Sequence, residues 1–445
     1  MEGNSNNVSR QINRGTVKVN LQLTKILYTI MIILPLYQDS PLQKYFGSAG
    51  ESLMPTISII IGTLFLMTTG KITTNKSIKS FFKLFAIWLP LVSLFAIAVH
   101  LMSGGSMILY GENVFVKSIK NIIKYVAYAM YLSVMIRLMR KLSFEQIMKP
   151  IALALFLIVI ICGIELTQIP YAFKGLHYAG TFPYWRVRLL SMESSTTTGS
   201  IFMYSGLTIY YSLVKKNYLL LGLAFVSCLF LFATTGSKTL LAAIGIVLCI
   251  YLVLSFRKIN KKTMFGIMVA VVGLFFAYFT VLQKFQNSLL GDIQNYTSFA
   301  TRFYSIIIGV MIGLIIPCGV GASIYLSVYP TALAKYMTWF QSKFPNLSMT
   351  EILNLINGQS DTALTVKSGL IQGHMLWGII GSIYIMRVFI SMHKQVRKRN
   401  IPLDNLLLAL FWTFIALLIF AQEFGYEFWF LVAIVLWMIE RYKMR

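Results

Sequence analysis

The sequence predicts an all-α polytopic membrane protein, and three observations carry that prediction. Of its 445 residues 57% are hydrophobic and only 12% are charged, about half the charged share of an ordinary soluble domain. The apolar residues gather in runs of roughly 20, the length a helix needs to cross the hydrocarbon core. The 39 Lys and Arg outnumber the 14 Asp and Glu, for a net charge of +25, and lie mostly between those runs. An ordinary cytosolic enzyme is thereby excluded. No nucleic-acid partner is expected either, because a basic nucleic-acid domain would be rich in polar residues.

Twelve segments are apolar enough to span: roughly 21–37, 53–70, 82–102, 120–136, 150–167, 198–214, 217–234, 239–256, 264–283, 368–390, 403–421 and 425–440. The first follows Arg10, Arg14 and Lys18 and reads as an uncleaved anchor, because no small-residue cleavage site follows it. Residues 1–20 read as a polar cytoplasmic tail, and 21–445 as a single membrane domain. With the N-terminus inside, the inner connections hold 26 cations and 4 acids, for +22. The outer ones hold 13 cations and 10 acids, for +3. Cytoplasmic loops carry the excess of Lys and Arg, so both termini are expected in the cytoplasm.

Residues 303–325 are also apolar enough to span, but a crossing there would turn Lys394–Arg399 and the C-terminal Arg441, Lys443 and Arg445 outward. They are therefore expected within one large late outer loop, about 284–367, with 303–316 as an in-plane or re-entrant helix. Pro317, Gly319 and Gly321 should break it. Broken backbone at membrane depth needs protein or water to cover it, so this stretch is a candidate site wall. A second long outer loop covers about 168–197. Cys162, Cys228, Cys249 and Cys318 form no CxxC, and the four histidines are scattered, so neither a metal nor another cofactor is expected.

The chemistry-bearing residues concentrate on the outer side. Arg186 and Arg188 stand where the charge bias disfavours cations, beside Tyr184 and Trp185. Guanidinium forks suit phosphate oxygens, but an interfacial belt of aromatics with snorkelling arginines fits the same residues. Glu193 follows in this loop and reads as a functional acid or an ion-pair partner of an arginine. Thr235, Gly236, Ser237 and Lys238 form a tight turn into a helix, which favours anions or is a plain cap. Arg302 precedes the late apolar helix. Asp361, Lys367 and His374 cluster at the mouth of the next helix, with Lys367 and His374 seven apart and expected on one face. Glu165, Glu423 and Glu427 add membrane-edge carboxylates. Cations, acids and aromatics on one side, without a soluble catalytic domain, suit an anionic, lipid-borne substrate.

These residues and the architecture resemble the O-antigen ligase and polymerase superfamily, multi-spanning enzymes that act on lipid-linked sugars at the outer face of the bacterial cytoplasmic membrane. The ligases carry His, a polar residue, nine residues and then GxxG; here Lys367-Ser368 stands nine residues before Gly378-Ile-Ile-Gly381. The Arg-x3-Leu element is similar to Arg186-Val-Arg-Leu-Leu190, the Ser-Arg turn to Ser237-Lys238, and the late glycine-rich stretch to Pro317-Cys-Gly-Val-Gly321. Lys in place of His points to a polymerase of the same fold rather than a ligase.

The resemblance implies a polyprenyl (undecaprenyl) diphosphate-linked glycan as donor and metal-independent glycosyl transfer. It also implies a flippase and a chain-length regulator of the same pathway as partners. Arg186, Arg188, Arg302, Lys238 and Lys367 would hold the diphosphate. Tyr184 and Trp185 would stack on sugar, and Glu193, Asp361 and His374 are the candidate bases. Transporters of lipid-linked sugars share the helix count. Against them, the cations sit in outer loops rather than at the midplane, and the second half does not repeat the first.

Overall fold

The computed structural model describes residues 21–46, 48–70, 75–171, 173, 175–178, 186–191, 197–255, 297–345, 347–357, 364–420 and 422–444. Their main helices are α1 (Leu21–Leu36), α2 (Met54–Thr69), α3 (Lys76–Met102), α4 (Val114–Arg140), α5 (Phe144–Leu166), α6 (Thr198–Lys215) and α7 (Tyr218–Thr235). They continue with α8 (Lys238–Ser255), α9 (Thr297–Ile315), α10 (Gly321–Lys343), α11 (Thr350–Ile356), α12 (Gly369–Arg397), α13 (Asp404–Phe420) and α14 (Tyr426–Arg441). A small antiparallel hairpin, β1 (Ile108–Leu109) and β2 (Glu112–Asn113), joins α3 to α4.

Eleven of the twelve expected apolar segments coincide with these helices, and 264–283 lies outside the described residues. Five helices, α3, α4, α5, α7 and α12, are long and apolar enough to cross a membrane; α1, α2, α8, α9 and α13 are apolar but shorter. The chain is thus mostly helical, with several candidate membrane spans.

The axis of the bundle is α14. Every residue from Tyr426 to Ile439 is buried, as expected of a helix apolar on all sides. It packs against α4, α6, α12 and α13. Trp429, in its first turn, is ringed by Phe81, Phe85, Tyr128, Phe424 and Phe428, with centroids 5.1–5.7 Å away.

One pole of the bundle is basic and tied by ion pairs. Arg140 forks onto both oxygens of Glu440 at 2.8 Å, and Asn75 donates to the same carboxylate. Lys215 bonds Glu145, Arg397 reaches Asp404 and Asn405, and Arg399 donates to the carbonyl of Tyr442. All these cations belong to the connections expected inside.

At the opposite pole the late apolar segment folds as a hairpin of helices. α9 runs beside α12 in the same direction: Gly309 abuts Ile371, Gly313 abuts His374 and Gly319 abuts the carbonyl of Leu376. The chain breaks after Ile315, as Pro317 requires. α10 then returns beside α3, with Gly321 against Ser93 and Ile324 packed with Ile97. α12 breaks at the same depth, where Gly378 has φ 69° and ψ −175°. The two breaks satisfy each other. Val320 N–H donates to the Met375 carbonyl, Ile380 N–H to the Pro317 carbonyl, and Trp88 Nε1 to the Trp377 carbonyl. Backbone groups freed from two helices are thereby paired inside the bundle, the condition for irregular chain at membrane depth.

Candidate functional site

The site is built on a buried carboxylate. Glu165, at the end of α5, is 5% exposed. Its oxygens accept backbone N–H bonds from Arg188 (2.9 Å), Leu189 (2.7 Å) and Leu190 (3.0 Å). Successive N–H groups aimed at one anion form a nest. Leu189 and Leu190 reach it only by adopting left-handed backbone, φ 52° and 60°, which side-chain-bearing residues avoid unless held. The grip is completed on the other side, where Gln38 and Asp39 N–H both donate to the Leu190 carbonyl.

Behind the nest, His177 bridges two acids. Its Nε2 lies 3.2 Å from Glu165 and its Nδ1 3.0 Å from Asp39, and the side chains of His177 and Asp39 are essentially inaccessible. Burial pushes the imidazole pKa down, but the bonds and charges of the two carboxylates outweigh it and lift the pKa to about 9. The ring is therefore an imidazolium at neutral pH, donating from both nitrogens to the two carboxylates. Asp39 and Glu165 thus share one proton-bearing clamp that joins the end of α1, the end of α5 and the 186–191 segment.

This clamp fixes where the two arginines go. Arg188 turns inward and is buried. Arg186 is exposed and lies along the turn between α7 and α8, where a methyl on Gly236 would come 3.6 Å from its Nε. The Val187 N–H donates to the Thr234 carbonyl and fastens the two segments together. Ser237 caps α8, accepting from Leu240 N–H at 3.3 Å, and its hydroxyl lies 2.6 Å from that of Thr198 at the start of α6. Thr235 is not a cap; its hydroxyl bonds back to the Leu231 carbonyl.

Four helix N-termini converge here. α6 meets α8 through Thr198 and Ser237. Gly199 of α6 abuts the Gln422 side chain, and Gly369, the first residue of α12, donates to the Gln422 carbonyl. Ser200 of α6 and Gln38 donate to Glu427 in the first turn of α14, at 2.8 and 2.7 Å. Helix N-termini carry partial positive charge, so this pole favours an anion at its accessible side, beside Arg186. Beneath it a cavity of about 10 Å³, touching Gln38, Leu190, Ser191, Thr197 and Ser200, has room for about one water.

The sequence-nominated residues distribute unevenly over this frame. Arg186 lies at the turn and Arg188 is buried behind it, and Lys238 is the first residue of α8. Lys367 is half-buried just before Ser368, the N-cap of α12. The expectation that Lys367 shares a helix face with His374 fails, because the cap precedes the helix and leaves Lys367 outside it. His374 instead faces α9, with Nδ1 2.9 Å from the Ser382 hydroxyl, and is not beside Arg186. Arg302 lies on α9, which packs against α10, α11 and α12. Tyr184, Trp185, Glu193 and Asp361 lie outside the described residues. Asp39, His177, Gln38, Ser200 and Gln422 were not legible as a site, since no local spacing joins them.

Comparison with known proteins gives one partial likeness. Over 163 residues the chain is 28% identical to a Klebsiella pneumoniae protein described as an "uncharacterized 49.5 kDa protein in cps region", covering 36% of this chain and 37% of that protein. The chain thus matches a little over a third of that relative's length. No family profile and no solved structure matches.

Proposed function

We propose that the chain is a polymerase that joins polyprenyl-diphosphate-linked oligosaccharide repeat units at the outer face of a bacterial cytoplasmic membrane. The observation that carries this reading is the exposed Arg186, laid over the capped N-terminus of α8 by the Glu165 clamp. The relative from a cps, or capsule, gene region fits a role in capsule polysaccharide synthesis. The ring of candidate membrane spans suits a donor that lives in the bilayer.

The chemistry follows from the donor. The acceptor hydroxyl oxygen bonds to the anomeric carbon, the bond from that carbon to the diphosphate oxygen breaks, and its electron pair stays on the diphosphate. The hydroxyl proton passes to a base, for which Glu193, Asp361 and His374 are the candidates, His374 the last of them because it faces α9. The site's main task is to hold the charge that grows on the leaving diphosphate. Arg186 and the N-termini of α6 and α8 supply fixed positive potential there, joined by Lys238 and, across Gln422, by Lys367.

Two experiments test this. Arg186→Ala should shorten the surface glycan to one or a few repeats, whereas Arg186→Lys, which keeps charge without the fork, should retain part of the length. Unchanged long chains in Arg186→Ala remove the diphosphate clamp. Reconstitution with lipid-linked repeats should give a ladder of products; translocation across the vesicle without a ladder would make the protein a flippase.

A further inference from the structure

The hairpin of α9 and α10 encloses an apolar groove of about 310 Å³, lined by Ile308, Met311, Ile312 and Ile315 on one helix and by Val328, Ala332 and Lys335 among others on its partner. That volume lies at the small end of ligand pockets. The groove opens sideways, since Ile315 is 64% exposed. Its α9 wall, from Ile308 to Ile315, is aliphatic, while Ser327, Thr331, Lys335 and Tyr336 place polar atoms along the α10 wall, with the one charge at the Lys335 end.

The hairpin tip at Gly321 touches Ser93, nine residues, or roughly 13 Å of helix, short of the end of α3 at Met102. Lys335 stands fourteen residues beyond Gly321, roughly 21 Å along α10, which accompanies α3 through the contact of Ile324 with Ile97. Lys335 therefore sits at or slightly beyond the level where α3 leaves the apolar layer, where lipid headgroups begin. It is exposed, its ammonium lies 5.6 Å from the Tyr336 ring, and it makes no ion pair with any described residue. The groove's lining on α10 runs from Ser327 to Tyr336, nine residues or roughly 13 Å, about the depth of one leaflet's acyl region, half of the roughly 30 Å core.

We propose that this groove holds one acyl chain of an anionic glycerophospholipid, with its phosphate against Lys335. An unpaired cation at headgroup level selects an anionic head, and an aliphatic groove below it takes the chain. The occupant is a bilayer lipid rather than the isoprenoid donor, because Arg186 does not line the groove and, of the helices that α9 and α10 pack against (α3, α4, α11 and α12), only α12 reaches the Arg186 pole. Arg186 and its turn stand on the α6, α7 and α8 side. The proposal does not depend on the glycan chemistry.

Native mass spectrometry of the purified full chain tests it, with phosphatidylglycerol, phosphatidylcholine and polyprenyl phosphate added separately and in competition. Phosphatidylglycerol should be retained in preference to phosphatidylcholine, and Lys335→Ala should cut that preference about fivefold, the effect of one lysine near a charged lipid surface. Ala332→Trp, which fills the groove, should abolish retention of both lipids. Equal retention of the two phospholipids by the wild type, or an unchanged preference in Lys335→Ala, overturns the proposal. Displacement of phosphatidylglycerol by polyprenyl phosphate at equal concentration overturns it too and hands the groove to the donor. Lys335 is a surface side chain, so its variant should fold normally even if Ala332→Trp does not.

Discussion

Glu165 is the residue on which the outer site turns. One carboxylate holds three backbone N–H groups and a protonated imidazole, so its loss leaves several buried donors without a partner. Glu165→Gln, which presents an NH₂ group to N–H donors, should lower stability by about 3 kcal/mol, read as thermal unfolding in detergent. It should also release Arg186 and shorten the glycan. His177 adds a pH dependence whose sign is fixed. Its pKa is raised from the model-peptide value of 6.5 to about 9 in the folded chain. Its contribution is therefore fully present below about pH 6.5 and is lost as pH rises through about 9. The melting temperature of the wild type should fall across that interval, while His177→Gln, already less stable, should show a flatter profile. An equal slope in both would mean that the imidazolium does not hold the clamp. The sequence singled out Glu165 as a membrane-edge carboxylate but not its partners, since His177 is one of four scattered histidines and Asp39 lies 138 residues away from it. Arg186 and Arg188 were legible because cations are out of place on an outer face. Which of them is accessible was not, because that depends on the left-handed turn at Leu189 and Leu190.

Among the elements, the paired breaks of α9–α10 and α12 set the tightest geometric limits. A methyl on Gly378 would lie 2.0 Å from the Pro317 carbonyl oxygen, and the backbone there is one that only glycine adopts readily. Gly378→Ala should therefore destabilise the chain by more than about 3 kcal/mol, measured by thermal unfolding. The same change at Gly163 of α5, where nothing lies within 4 Å, should be close to neutral. The sequence announces the first break, since Pro317, Gly319 and Gly321 all interrupt a helix. It hides the second, because Gly378 sits inside an otherwise continuous apolar run and looks like a tolerated helix glycine. The same blindness misplaced Lys367: seven-residue spacing implies a shared face only when both residues lie within the helix, and Ser368 begins it one residue too late.

For the whole molecule, the apolar runs were the legible part. Their length and composition alone located eleven described helices, with ends off by up to seven residues, because burial in lipid or in a bundle axis demands the same side chains. They did not reveal which helix would be central. The orientation expected from the charge bias makes a direct prediction. Cysteine introduced at Ser342, exposed at the far end of α10, should react with a membrane-impermeant maleimide in intact cells. Cysteine at Lys394, near the basic pole, should react only after the membrane is opened. The reverse pattern would invert the topology and place Arg186 in the cytoplasm.

The buried axis has a bearing on biogenesis. The helix that every neighbour packs around, α14, follows all the other described helices in the chain, so they leave the ribosome and enter the bilayer before it. Until it arrives they surround a missing centre, with Ser200 and Gln38 deprived of the carboxylate that joins them. Closure of the bundle and completion of the outer pole are thus one late event in synthesis. A chain stalled before Tyr426 would display an open slot, a ready mark for membrane quality control.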